Sequence, residues 1–172
     1  RNLMNIIVAV DSKWGIGRNN GLLFNIPEDM NYFRTMTKNK VVCMGYNTLL
    51  SLPDAAPLKN RINIVLAPQG VEREDLIVVH SLNELFTALK NYDDDDVFVI
   101  GGGMFYKTML PYVKNVYVTE VYSDGKATVF FENLSENSDY LKTYLSEIKS
   151  YKDIKFRFVL YENLSPEVYS FS

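Results

Sequence analysis

Short runs of apolar, largely β-branched residues recur along this chain, and they limit its fold more than any other feature. Several are apolar at almost every position, which is typical of strands covered on both faces. They lie at residues 5–10, 40–44, 62–66, 76–79, 97–100 and 116–121. Helical patterns lie between them, at residues 28–36, 47–51, 82–90 and 104–110. This alternation predicts an α/β fold, with helices flanking a central and mostly parallel β-sheet.

The last part of the chain has a different pattern. Residues 154–161 alternate apolar and polar side chains, which is typical of an antiparallel strand with one solvent-exposed face. We expect this strand to close the sheet at an edge. Because we find no repeat and no linker, we expect one domain over residues 1–172. Arg1 precedes Met4 closely, so residues 1–3 are expected to be foreign to the natural protein.

Charge and hydropathy exclude several classes of partner. The 172 residues carry a net charge of −3 and no basic run longer than two residues, which argues against nucleic acid or an anionic membrane as a partner. No apolar run approaches the ~20 residues that span a bilayer, and the N-terminus lacks a signal-peptide pattern. We therefore expect a cytoplasmic protein, and a monomer.

The counts of cysteine and histidine exclude two chemistries. The single cysteine, Cys43, reads as a small apolar residue in a buried strand, and the single histidine, His80, as a surface loop residue. One cysteine and one histidine cannot build a zinc cluster. A serine or cysteine nucleophile with a histidine base would have His80 as its single possible base, which argues against that mechanism here. The acidic run at 93–96 is expected to be a solvated loop. No metal is expected.

Two acids stand inside the otherwise apolar and aromatic stretch L-L-F-N-I-P-E-D-M-N-Y-F, residues 22–33. Pro27 suits the first position of a helix, so Glu28 and Asp29 would lie in its first turn and complement the helix dipole. Helical spacing puts Asp29 on the inward face with Phe33, whereas Glu28 lies on a wetter face. Buried acids are costly unless they are hydrogen-bonded, so Asp29 is also a candidate site residue. Taken alone, this segment favours the dipole interpretation.

Two glycine clusters follow predicted strands. The first, residues 15–21, misses the dinucleotide-binding fingerprint because Asn20 stands in place of the last glycine, and a mobile loop is the better interpretation. The second, in residues 97–106, is a strand, three glycines and a helix, which favours an anion site over a tight turn. Arg61 and Thr119 are uninformative singly: most such arginines are solvated, and threonine is common in strands.

The order of these segments carries more information than any one of them. I-I-V-A-V-D, the glycine loop, N-I-P-E-D, M-G-Y-N-T, N-R-I-N-I-V-L, I-G-G-G-M-F-Y and V-Y-V-T-E-V follow one another in this chain. In this order and spacing they resemble dihydrofolate reductases, from about residue 4 to 161. The resemblance implies a mixed sheet of about eight strands and reduction of 7,8-dihydrofolate to 5,6,7,8-tetrahydrofolate. It also implies NADPH as the hydride donor, with NADH as an alternative.

The resemblance assigns a substrate pocket. Asp29 would anchor the pterin and promote protonation of N5, Thr119 would hydrogen-bond Asp29, and Phe24 stands where the family usually has a tryptophan. Arg61 would bind the α-carboxylate of the glutamate tail, as a planar bidentate donor can. The full substrate-binding set implied is Ile7, Val8, Ala9, Met30, Phe33, Leu52, Leu58, Arg61, Ile100 and Tyr106.

The resemblance also assigns a cofactor site, with the glycine loop 15–25 as its lid. The residues implied are Ala9, Ile16, Gly45, Tyr46, Asn47, Thr48, Leu66, Ala67, His80, Gly101, Gly102, Gly103, Met104 and Phe105. Tyr46, Ala67 and Pro68 replace basic or hydroxyl residues usual near the 2′-phosphate, and Ala127 replaces an acid that would face the lid. Two alternative functions stay open. One is a riboflavin-pathway reductase of the same fold, although Asp29 argues against it, and the other is a nucleotide-binding module without catalysis.

Overall fold

The computed structural model describes residues 3–19 and 21–172. Residues 1 and 2 of the segment expected to be foreign, and Asn20 of the first glycine cluster, lie outside the described residues. The strands are β1 (Asn5–Val10), β2 (Gly15–Gly17), β3 (Val41–Gly45), β4 (Ile62–Leu66), β5 (Ile77–Val79), β6 (Val97–Val99), β7 (Asn115–Val121), β8 (Val129–Phe130), β9 (Tyr140–Leu145), β10 (Lys149–Tyr151) and β11 (Ile154–Asn163). The α-helices are α1 (Pro27–Thr37), α2 (Tyr46–Ser51), α3 (Leu82–Leu89) and α4 (Gly103–Met109).

The large sheet has the order β10-β11-β7-β1-β6-β3-β4-β5, and β9 also pairs with β11. β1 lies inside it and pairs in parallel with β6 and β7. Beyond β6, the strands β3, β4 and β5 continue the parallel arrangement. β2 and β8 form a separate two-stranded antiparallel sheet. The predicted α/β fold with a mostly parallel, mixed sheet of about eight strands is confirmed.

The C-terminal strand β11 is antiparallel, as predicted, and pairs with β7 so that Phe158 lies opposite Thr119. Its predicted position at the edge is wrong, because β9 and β10 both pair with its outer side. The residues of β9 are almost all exposed, so its sequence has neither the apolar run of a strand buried on both faces nor the alternation of a strand with one buried face. β10 has three residues, which is too short for a pattern. Neither strand was predicted for these reasons.

Alternate residues of the strands face different helix layers. Ile6, Val8 and Val10 of β1 belong to the main apolar core, which also holds Leu85 of α3 and Met109 of α4. The other face of the sheet carries a second apolar cluster around Met44 and Leu49, in β3 and α2. A third cluster on this face joins Phe24 and Tyr32 to Phe156 and Phe158 of β11. Helices therefore cover the sheet on both sides, as the continuous apolar runs require.

The carboxyl ends of the parallel strands β1, β3, β4 and β6 meet at one edge of the sheet, where open α/β folds commonly bind ligands. α2 begins directly after β3, and α4 begins at Gly103, the last of the three glycines that follow β6. None of the helices in the described part of the chain has both the length and the apolar character that crossing a membrane requires.

Candidate active site

Asp29 lies in the first turn of α1, two residues after the proline that starts this helix. Its side chain is half-buried, and the hydroxyl of Thr119 donates a 2.6 Å hydrogen bond to its Oδ1. Thr119 is buried in β7, where it is in register with Ala9 of β1. The first turn of α1 is therefore joined to the centre of the sheet through the side chains of Asp29 and Thr119.

The two acids of α1 have different surroundings. Desolvation raises the pKa of Asp29, and the hydrogen bond from Thr119 only partly offsets this effect. Glu28 is exposed and forms an ion pair of 3.0 Å with Lys149 of β10. The predicted difference between an inward Asp29 and an outward Glu28 is confirmed. The dipole interpretation alone misses the partner of Asp29, because Thr119 is 90 residues away in the chain.

The residues expected to bind the substrate lie between α1 and the ends of β1 and β6, a region that we call the cleft. Ile7 and Ala9 share one face of β1, whereas the side chain of Val8 points to the opposite face, into the main core. Only the backbone of Val8 can therefore contribute to the cleft. The buried Tyr106 donates a hydrogen bond of 2.8 Å from its hydroxyl to the carbonyl of Ile7. Burial, together with the charge of Asp29, raises the pKa of Tyr106.

Apolar side chains on α1 and its approach form one wall of this cleft. Phe24 is half-buried against the third cluster, Phe33 is half-buried, and Met30 is 45% exposed. Tyr32 lies one turn after Glu28, but it stacks on Phe158 with ring centroids 4.0 Å apart. Because Tyr32 is also three residues after Asp29, the inward stripe of α1 includes it together with Phe33.

Arg61 lies beyond Phe33 at the far end of the wall. Its guanidinium carbon is 5.8 Å from the centroid of the Phe33 ring. Its Nε is buried and has no hydrogen-bond partner among the described residues. Desolvation lowers the pKa of Arg61, and the neighbouring charge of Arg34 acts in the same direction. A buried donor without a hydrogen-bond partner is costly, and a planar guanidinium suits a carboxylate ligand.

Leu52, Leu58 and Ile100 pack at the rim of the second apolar cluster, on the same face of the sheet. The loop that carries Leu58 is held by the buried Asn63, whose side chain accepts a hydrogen bond from the Leu58 N–H (2.9 Å) and donates one to the Leu58 carbonyl (3.0 Å). Sequence reasoning missed Asn63. A polar residue inside the apolar run I-N-I-V-L is the signal that could have identified it.

The three glycines after β6 form a cradle beside the start of α2. The Gly45 N–H donates to the carbonyl of Gly101 (2.8 Å), and the Gly101–Gly102 peptide is cis. Gly101 has φ +128°, which other residues rarely adopt. A Cβ on Gly102 would lie 3.2 Å from Thr48 Oγ1, and one on Gly103 only 2.5 Å from Val129 Cγ1. A side chain at Gly102 or Gly103 would therefore press on Thr48 or Val129, so the close packing of this turn against α2 and β8 requires glycine.

The remaining predicted cofactor residues lie around this cradle. Phe105 is buried near Gly45, Met104 is 80% exposed, and Ile16 of β2 lies near Gly103. Tyr46 is half-buried and Asn47 exposed at the start of α2. Leu66 ends β4, in register with Gly45.

His80 lies against the residues that follow β4. Its Nδ1 is 3.2 Å from the carbonyl oxygen of Ala67 and 3.1 Å from that of Pro68, and its Nε2 is 3.4 Å from Glu72. Desolvation lowers the pKa of His80, but the two carbonyls and the charges of Glu84 and Glu72 outweigh it, so the pKa is raised overall.

The acidic run at residues 93–96 lies at the opposite end of β6 from the cradle. The carboxylates of Asp93, Asp95 and Asp96 lie within 4.8 Å of one another. Asp96 is paired with Lys40 at 2.9 Å. Neither observation connects this run with the cleft.

Asp11, the last residue of the segment I-I-V-A-V-D, is a buried acid. The sequence alone assigned no role to it. It is 3% exposed and accepts three backbone hydrogen bonds from two loops beside the cleft. An acid directly after an apolar strand is a weak signal, because the residues that bury it come from a distant segment.

Comparison with known proteins gives one consistent family. A family model described as dihydrofolate reductase matches residues 3–163. A dihydrofolate reductase of Schistosoma mansoni is 38% identical over 144 residues, which cover 74% of this chain and 77% of that protein. One from Rattus norvegicus is 32% identical over 184 residues, covering 92% and 96% respectively. The solved structure of an Enterococcus faecalis dihydrofolate reductase, complexed with NADP(H) and RAB-propyl, has a similar fold. Its TM-score is 0.82 at 23% identity, with 94% of this chain and 96% of that chain covered.

Proposed function

Because this chain belongs to the dihydrofolate reductase family, we propose that it reduces 7,8-dihydrofolate to 5,6,7,8-tetrahydrofolate and that Asp29 anchors the pterin. The observation that carries this proposal is the half-buried carboxylate of Asp29 in the cleft, held by Thr119 at 2.6 Å. A carboxylate has about four acceptor positions, so it can hold the Thr119 hydroxyl and still accept from the 2-amino group and N3 of a pterin.

The cofactor is NADPH, and we expect its phosphates to lie at the glycine cradle. Gly45 and Gly101 to Gly103 place several backbone groups beside the N-terminus of α2, where Thr48 adds a hydroxyl near Gly102. Glycine residues let a ligand approach the backbone closely, which supports this assignment. When bound, NADPH supplies the hydride that reaches C6 of the pterin, while N5 receives a proton.

The protein's own residues would contribute position, exclusion of water and charge. The apolar wall of Phe24, Met30 and Phe33 would hold the flat rings in contact and keep bulk water away. The negative charge of Asp29 favours the protonated form of N5 across the ring. Arg61 would bind the glutamate carboxylate through its guanidinium, whose Nε has no hydrogen-bond partner among the described residues. Positioning of this kind, with one charge held in a partly dry site, is what hydride transfer needs from a protein.

The decisive experiment follows the absorbance of the reduced nicotinamide with dihydrofolate and NADPH, and in parallel with NADH. We expect oxidation that depends on dihydrofolate and stops in Asp29→Asn. A protein that instead turned over the ribityl phosphate substrate of the riboflavin pathway would contradict the proposal. Binding of NADPH without any oxidation would identify a nucleotide-binding module, which needs the cradle but not Asp29.

A further inference from the structure

Asp11 joins two loops that meet beside the cleft. Its Oδ1 accepts hydrogen bonds from the N–H groups of Lys13 (2.9 Å) and Gly15 (2.7 Å), in the turn between β1 and β2. Its Oδ2 accepts a hydrogen bond of 2.9 Å from the Gly125 N–H, in the loop between β7 and β8. A buried carboxylate needs such donors, and here each oxygen obtains them from a different loop.

The two loops are in close contact at Gly15 and Ala127. A Cβ on Gly15 would lie 2.3 Å from Ala127 Cβ and 2.9 Å from Asp11 Oδ1. Ala127 therefore fills the space opposite Gly15 with a methyl group, and the carboxylate beside the Gly15 N–H comes from Asp11. The Ser12 N–H also donates to the Ser123 carbonyl (3.0 Å), and β2 pairs with β8.

Gly125 connects Asp11 to the apolar wall of the cleft. A Cβ on Gly125 would lie 2.9 Å from Leu23 Cβ and 3.2 Å from the Phe24 ring. The backbone of Gly125 is thus held by Asp11 and lies against Phe24. On the cofactor side, Val129 of β8 lies where a side chain on Gly103 would be. A displacement of the two loops would move Phe24 and the edge of the cradle together.

We propose that Asp11 is a positioning residue for hydride transfer. It holds the β7–β8 loop so that Phe24 and the glycine cradle keep the distance at which the two rings meet. Asp11 is not among the residues expected to bind the substrate or the cofactor, and it acts through the backbone of Gly125. The inference rests on the proposed function for its kinetic part only, because the loop anchor itself can be measured without turnover.

The test compares Asp11→Asn with Asp124→Asn in the full chain. An amide keeps one acceptor but turns an NH₂ group towards one of the backbone donors. Asp124 is a matched control because it lies next to Gly125 in the β7–β8 loop, and its ion pairs with Lys13 and Lys126 are with solvent-exposed lysines. Exposed ion pairs contribute little, so the pair that Asp124 forms across the loops with Lys13 should matter less than the buried hydrogen bonds of Asp11. We expect Asp11→Asn to lower kcat at least roughly tenfold with a smaller change in the KM for dihydrofolate, because misplacement of this kind mainly affects the reacting geometry. Asp124→Asn should leave both constants nearly unchanged.

Trp14, the single tryptophan of the chain, gives a readout independent of activity. It is 9% exposed, lies in the same turn as Asp11 and packs against Phe131 and Tyr161. Acrylamide should quench its fluorescence more strongly in Asp11→Asn than in the wild type or Asp124→Asn. If the wild type reduced no dihydrofolate, the proposed function would fail, whereas the quenching comparison would still decide whether Asp11 fixes this turn.

Gly125→Ala keeps Asp11 and presses a methyl group towards Leu23 and Phe24. It therefore tests the contact between Gly125 and Phe24, separately from the contact between Asp11 and Gly125. We expect a loss of kcat with unchanged quenching of Trp14. A folded Asp11→Asn with wild-type kcat, or an equal loss in Asp124→Asn, would overturn the proposal. If Asp11→Asn failed to fold, Gly125→Ala would decide, and wild-type kcat in that variant would overturn it.

Discussion

At Asp29 two physical effects oppose each other on one carboxylate. Burial removes water and raises the pKa, whereas the hydrogen bond from Thr119 lowers it, and burial is the larger effect. The ionised group is costly for the fold, and a carboxylate kept in spite of such a cost is the pattern expected of a functional acid. Glu28, one residue away, is exposed and paired with Lys149, so it provides a natural comparison.

Asp29→Asn should fold, bind NADPH normally and lose hydride transfer by roughly a hundredfold or more at neutral pH. Asparagine keeps the shape and one acceptor for Thr119 but removes the charge that favours a protonated N5. Activity should partly return in acid, where solvent supplies the proton. Glu28→Gln is the control in pH-dependent single-turnover measurements. A damaging Glu28→Gln with a mild Asp29→Asn would reverse the assignment of the two acids.

The same substitution should change stability in the opposite direction. Because the pKa of Asp29 is raised on folding, ionisation opposes folding; the cost is complete above the folded-state pKa and absent below the ordinary value of 3.8. We therefore expect Asp29→Asn to be more stable than the wild type in urea unfolding at neutral pH. The difference should shrink as the pH falls towards about 4. Greater stability of the wild type at neutral pH would show that the Thr119 hydrogen bond outweighs desolvation.

Arg61→Leu should raise the KM for dihydrofolate roughly tenfold to a hundredfold, the equivalent of a charged hydrogen bond of about 1.5–3 kcal/mol. Its guanidinium lies by Phe33, away from the glycine cradle, so NADPH affinity should be nearly unchanged in a fluorescence titration. Arg34→Leu removes the neighbouring exposed cation and should have a smaller effect. A larger change in NADPH binding than in folate binding would reverse the placement of the two ligands.

At the scale of elements, helix α1 works as a wall of the cleft rather than as part of the core. Thr37 is its single fully buried residue, and its first turn is connected to the sheet through Asp29 and Thr119. α2 and α4, in contrast, begin at the ends of buried strands, and their first residues form the cradle. The two ligands are thus expected to meet where a half-buried helix and two strand-to-helix turns converge.

The turn after β4 is expected to set the cofactor preference. His80 is held by the carbonyls of Ala67 and Pro68, and its raised pKa extends its positive charge to higher pH than that of a free histidine. We predict that preference for NADPH over NADH, as kcat/KM, is larger near about pH 6 than near about pH 9, where His80 is neutral.

His80→Asn should abolish this pH dependence of the preference. The preference itself should stay below several hundredfold, because Tyr46, Ala67 and Pro68 add no cation and Glu72 competes for His80. A strong and pH-independent preference would point to another cation, and Arg73, which is paired with Asp75, is the nearby candidate to replace.

At the scale of the whole molecule, one sheet supports both helix layers, and β1 is its centre. We propose that residues 1–172 form one domain, which should unfold in a single cooperative transition. Ile6→Ala removes a side chain that is 0% exposed in β1 and should cost about 2–5 kcal/mol. Ile77→Ala, in the edge strand β5 and 37% exposed, should cost less than about 1.5 kcal/mol. Urea unfolding measures both, and equal costs would contradict a core centred on β1.

The sequence by itself determined the elements whose signals are local. Apolar runs marked the buried strands, Pro27 marked the start of α1, and the three glycines marked the turn into α4. The order of these segments also indicated the family. Such features depend on residues that are neighbours in the chain, so backbone preference and periodicity are sufficient to predict them.

Only the tertiary structure decided which polar groups are buried and with what partners. Asp29 meets Thr119 across 90 residues and Asp11 meets Gly125 across 114. β9 and β10 take the edge position predicted for β11, and Val8 points away from the cleft. In each case the outcome depends on desolvation or pairing by a segment distant in the chain. Lys13 and Gly15 are local partners of Asp11, but no window of sequence around Asp11 contains Gly125 and none around Asp29 contains Thr119.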